Sequence, residues 1–78
     1  MSTFEKVRDI ISKTLNINPD TVTAFLAMDD IAEWDSMGNM AIIAALEENL
    51  GIEFPIEDLF ELNSVPAIVA EIDRLSNK

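Results

Sequence analysis

Apolar residues recur along this chain at spacings of three and four, and that spacing commits it to helices. Phe4, Val7, Ile11 and Leu15 follow one another in this way, and Ile10 widens the stripe. Ser2-Thr3-Phe4-Glu5 ahead of them has the form of a capping box, with Ser2 as cap and Glu5 three residues on. The spacing predicts a first helix from about Thr3 to Leu15, stopped before Asn18-Pro19. A second stripe, Met40, Ile43, Leu46 and Leu50, has Ala41, Ala44 and Ala45 close by and Glu47 and Glu48 on another face. Asp35-Ser36 opens this helix and Gly51 stops it. Pro55 starts a short third helix, about Ile56 to Glu61, with Leu59 and Phe60 expected to face inward. Ser64 caps a fourth, in which Pro66 is tolerated because it falls in the first turn. Val65, Ile68, Val69, Ile72 and Leu75 form its buried face. The fold class is all-α: a small four-helix bundle of three longer helices plus a short third one.

Residues 16–35 make a long connection between the first and second helices, with little regular structure of its own. Val22, Phe25, Leu26, Met28 and Ile31 are too apolar for a free linker and are expected to pin it to the bundle. A loop of this length in a small domain is uncommon and often functional. The 78 residues suffice for one domain, residues 1–78.

What the chain lacks narrows its chemistry. It has no cysteine, so no disulfide framework and no thiolate metal site. It has no histidine, which removes the usual general base and the commonest nitrogen ligand. The aspartates around Asp29, Asp30 and Asp35 do not form the Asp-x-Asx-x-Asx-Gly calcium loop. There is no glycine-rich phosphate loop. The expectation is a protein that is not an enzyme and holds no metal. No apolar run approaches the roughly 20 residues of a membrane span. The N-terminus lacks the basic-then-apolar pattern of a signal peptide. A soluble, cytoplasmic monomer is expected.

The net charge of −10 is unevenly placed. Lys6, Arg8, Lys13, Arg74 and Lys78 lie near the ends, while Thr14 to Asp73 holds thirteen acidic residues and no basic one. Such a middle repels nucleic acid and anionic membrane and attracts basic protein surfaces. The same run also reads simply as a solvated face that aids solubility.

The segment Trp34-Asp35-Ser36-Met37 carries the chemistry. It puts a hydroxyl at the start of a helix, after a long loop, where free N–H groups and the helix dipole favour a phosphate. Asp35 adds a negative charge there, and Asp-Ser is equally ordinary N-cap chemistry. On these residues alone both readings stand.

The wider pattern resembles the acyl carrier protein family over nearly the whole chain. Asp35-Ser36-Met37 is similar to the family's Asp-Ser-Leu signature, with methionine for leucine. The run from Ala45-Leu46-Glu47-Glu48 through Gly51-Ile52-Glu53-Phe54-Pro55 resembles the family's exit from its second helix. Asn63-Ser64-Val65 resembles the Thr-Thr-Val start of its fourth. The resemblance implies a 4′-phosphopantetheine arm on Ser36, with Asp35 as a flanking recognition residue. It implies modification by a phosphopantetheinyl transferase, and acyl-processing enzymes with basic docking surfaces as partners. Met37, Glu47 and Glu48 are the expected partner contacts. The missing cysteine fits, because a thioester carrier needs a thiol and this chain supplies none. Gly38 and Ala41 stand where many fatty-acid carriers have acidic residues, and the approach to Ser36 departs from the common Asp-Leu-Gly. Met40 is expected in the core and Trp34 as a loop anchor. Ala41, Ala44 and Ala45 serve close packing or leave room beside the second helix. Two alternatives stay open: a peptidyl or aminoacyl carrier using the same arm, and an unmodified acidic helical interaction module.

Overall fold

The computed structural model describes residues 1–76. Helix α1 spans Thr3–Leu15, α2 spans Ser36–Leu50 and α3 spans Val65–Ser76. Two 3₁₀ helices, Pro19–Thr21 and Ile56–Glu61, lie in the connections. The four expected helices are therefore present at the expected places, the short third one as 3₁₀. Among the described residues there is no strand, only one isolated antiparallel bridge between Ala27 and Ser64.

Each long helix starts and stops for a local reason. Ser2 Oγ accepts from the Glu5 N–H, and the Glu5 carboxylate accepts from the Ser2 N–H. That reciprocal cap holds the Glu5 carboxyl below its usual range, chiefly through the bonds from Ser2. Asn16 ends α1 in the left-handed region, φ 56°, and Gly51 ends α2 there at φ 63°. Ser64 Oγ accepts from the Ala67 N–H at the head of α3.

The core joins Val7 and Ile11 of α1, Ile42, Ile43 and Leu46 of α2, and Val65, Ile68 and Ile72 of α3. Val22, Leu26 and Trp34 bring the long connection into it, and Phe54 and Leu62 bring in the second. Burying each such aliphatic side chain is worth about 1.5–3 kcal/mol before chain entropy is set against it. The connection is further tied by two backbone bonds, Met28 N–H to Asn63 and Val65 N–H to Leu26, each 2.8 Å.

Four expectations about facing are corrected. Phe25 is exposed and does not pin the loop; Val22 and Leu26 do, with Met28 and Ile31 partly buried. Met40 is exposed and Ile42 takes the core position instead. Phe60 points to solvent while Leu59 is half-buried. Ala41 and Ala44 are exposed rather than buried in a helix contact, and Ala45 is half-buried.

Candidate functional site

The head of α2 is fixed by the loop that leads into it. Trp34 is fully buried, and its indole N–H donates to Asn39 Oδ1 at 2.9 Å. Its backbone accepts from the Asp29 N–H at 2.7 Å and donates to the Ile31 carbonyl at 3.2 Å. Asp29 closes this turn with a left-handed φ of 73°, a conformation aspartate tolerates better than most residues. Asp30 Oδ2 accepts from the Ala27 N–H. Anchored in this way, the ring of Trp34 sets where Asp35 and Ser36 leave the core.

Asp35 is the N-cap, and its Oδ1 accepts from the Gly38 N–H at 2.7 Å. Gly38 allows a close approach here. A Cβ on it would lie 2.7 Å from the Glu33 carbonyl oxygen, 3.2 Å from Leu15 Cδ2 and 3.3 Å from Asp35 Oδ1. The glycine thus lets the loop backbone press against the first turn of α2. Ser36 follows as the first helical residue, and it is exposed. An α-helix leaves its first four N–H groups without intrahelical acceptors, and Asp35 satisfies only one of them. The others, with the helix dipole, favour an anion beside Ser36.

Ser36 opens into a cleft of about 460 Å³ between α2 and the second 3₁₀ helix. Met28, Met40, Ile56, Leu59 and Phe60 make it mostly apolar, and Asn39 and Asn63 add polar groups. Ala41, Ala44 and Ala45 take no part in it. A smaller hollow of about 280 Å³, lined by Asp9, Ser12, Lys13, Asn16, Ile17 and Pro19, contains none of the site residues.

The other residues singled out by sequence fall differently. Met37 is exposed beside Ser36. Glu47 Oε2 accepts from the Phe54 N–H at 2.9 Å, so this half-buried carboxylate closes the turn after α2. Glu48 is exposed. Glu47 and Glu48 sit eleven and twelve positions beyond Ser36, about 16–18 Å along the helix. They do not share a site with it. Sequence reasoning missed Asn39, although it lies three residues after Ser36 on the same helix face. It also missed the Ile56 and Phe60 wall. Among the described residues no cluster of histidine, cysteine or carboxylates is fit to hold a metal, and no helix is long and apolar enough to cross a membrane.

The family described as "Phosphopantetheine attachment site" matches residues 5–72. The chain belongs to this family. Whole-length relatives agree. An acyl carrier protein of Campylobacter hominis is 33% identical over 76 residues, which is 97% of this chain and 96% of that one. One from Akkermansia muciniphila is 38% identical over 71 residues, 91% and 89% of the two chains. One from Bdellovibrio bacteriovorus is 31% identical over 74 residues, 95% of each. As a phosphopantetheine-attachment protein the chain is a carrier, not an enzyme, and its prosthetic group is 4′-phosphopantetheine. Its general class of partners follows: a phosphopantetheinyl transferase and acyl-processing enzymes.

Proposed function

We propose that Ser36 is the attachment point of the arm, and that residues 1–78 act as a single domain that carries acyl groups as thioesters to biosynthetic enzymes. One observation carries this reading. The Ser36 hydroxyl is exposed at the head of α2 and opens into the apolar cleft. A phosphodiester on Ser36 would gain from the free N–H groups and dipole of that helix. Asp35 holds the first turn closed and so fixes the backbone from which the hydroxyl projects.

The family's group fits these residues: the anionic end meets a helix N-terminus, and the neighbouring cleft is mostly apolar. When bound it supplies the thiol that this cysteine-free chain lacks, a group that titrates near pH ~8.5 and reacts as thiolate. Loading requires Ser36 Oγ to form a bond to the pantetheine-side phosphorus of coenzyme A and to lose its proton, while the pyrophosphate P–O bond breaks and adenosine 3′,5′-bisphosphate leaves. The chain offers no histidine to take that proton. Met28, Met40, Leu59 and Phe60 then offer an apolar wall to the start of an acyl chain. This lining favours acyl cargo over aminoacyl or peptidyl cargo. Met37, exposed next to the attachment point, and Glu48 further along α2 are the contacts offered to partners with basic docking surfaces. Glu47 contributes charge there while it holds the Phe54 amide. A cytoplasmic location and a monomeric state complete the proposal.

The test is intact-mass measurement after incubation with coenzyme A, Mg²⁺ and a promiscuous phosphopantetheinyl transferase. One phosphopantetheinyl addition is expected in the wild type and none in S36A. Failure of several transferases to modify the wild type overturns the reading.

A further inference from the structure

The cleft beside Ser36 has one weakly held wall. Ile56, Leu59 and Phe60 come from the second 3₁₀ helix, which has no side-chain cap and buries none of its six residues. Its backbone bonds are of the i→i+3 kind, Asp58 N–H to Pro55 at 3.0 Å and Leu62 N–H to Leu59 at 3.3 Å. Such bonds have poorer geometry than those of an α-helix. Helix α3 lines no part of the cleft. Yet it reaches this wall at Asp58, through Arg74 and Glu71. Arg74 Nε and Nη2 donate to the two oxygens of Glu71 at 2.8 and 2.9 Å, and Nη2 also donates to Asp58 Oδ2 at 3.2 Å. Glu71 is buried, so the guanidinium is oriented on α3 before it meets Asp58.

We propose that Arg74, oriented on α3 by Glu71, latches the second 3₁₀ helix through Asp58 and so sets how far the cleft beside Ser36 opens. Arg74 is a positioning residue: it acts on the cleft through Asp58 and touches nothing bound there. The two carboxylates compete for one guanidinium nitrogen. The Asp58 carboxyl stands above its usual range despite the ion pair, chiefly because it is hydrogen-bonded to Glu71. Glu71 already takes both faces of the Arg74 fork, which leaves Asp58 the weaker share. A latch of that kind holds the wall and still lets it go. The proposal concerns the cleft of the unmodified chain and stands whichever residue carries the arm.

The test is ¹⁵N relaxation on the unmodified chain. Backbone order parameters over residues 57–61 are expected to fall below about 0.6 in R74Q and in D58A, while α1 and α2 stay near about 0.85. The double variant should be no looser than D58A alone, because D58A already removes the link to Arg74. R74K should restore part of the order, since an ammonium pairs with one carboxylate but cannot match the fork. The latch is overturned if residues 57–61 are unchanged in both single variants. It is also overturned if all helices loosen together, or if the two substitutions add.

Discussion

Glycine within a helix ordinarily costs up to about 1 kcal/mol relative to alanine, so G38A would be expected to stabilise α2. The structure reverses that sign. A carbon and a carbonyl oxygen in contact stand about 3.3–3.6 Å apart. The new Cβ would lie 2.7 Å from the Glu33 oxygen, so the loop must retreat by roughly 0.6 Å. That oxygen is backbone, and the next residue is the fully buried Trp34, which has no room to follow. Overpacking of this kind costs about 1–3 kcal/mol. Displacing Asp35 from its cap adds about 0.5–2 kcal/mol. Set against the propensity gain of up to about 1 kcal/mol, a net loss of about 0.5–4 kcal/mol remains. For a domain of this size it lowers Tm by about 2–32 °C. Thermal unfolding of wild type and G38A, followed by far-UV circular dichroism, measures it. A G38A variant as stable as wild type, or more so, refutes the argument from close approach.

Further expectations concern the cap, the anchor and the charges. N39A leaves the buried Trp34 indole N–H without its acceptor and should cost about 1–3 kcal/mol by urea denaturation, with a loss under about 0.5 kcal/mol contradicting that bond's role. For Glu5 the folded carboxyl lies below its usual range, so its contribution is present at neutral pH and lost as pH falls through the folded value. S2A should therefore lower Tm at pH 7 and flatten the acid limb of its pH profile. For Asp58 the sign is opposite: its folded carboxyl binds a proton more readily than the unfolded one, so its charge costs stability at neutral pH and the cost fades as pH falls into the carboxylate range. D58N, which removes the charge and keeps an oxygen for Arg74, should raise Tm slightly at pH 7, and a clear drop would contradict this. Added salt should raise Tm by screening the acidic middle, and a melting temperature flat with ionic strength would contradict it.

The ends of elements were legible in the sequence because single residues fix them. Ser2 and Glu5, Asp35, Gly51 and Ser64 each do by hydrogen bond or by φ what their residue types announce. Facing was legible where polar residues mark the outer side, as in α1 and α3. It failed in α2. From Met40 to Leu46 every residue is apolar, so spacing alone cannot separate the buried Ile42 from the exposed Met40. The same ambiguity misplaced Phe60, because a 3₁₀ helix turns three residues per turn and shifts the inward face. Gly38 stood out in the sequence only as a missing acidic residue. Its packing reason needs Glu33 and Leu15, which come together only in the fold. The attachment segment was legible as a pattern. The cleft beside it was not, since its two walls are Met40 and residues sixteen to twenty positions further on.

The central claim is that the arm is carried by Ser36. Proteolysis of the transferase-modified chain, followed by fragment mass spectrometry of the peptide spanning α2's first turn, tests it most directly. One phosphopantetheinyl group is expected on Ser36 and none on any other hydroxyl. Modification at another serine or threonine, or full modification of S36A, would contradict it.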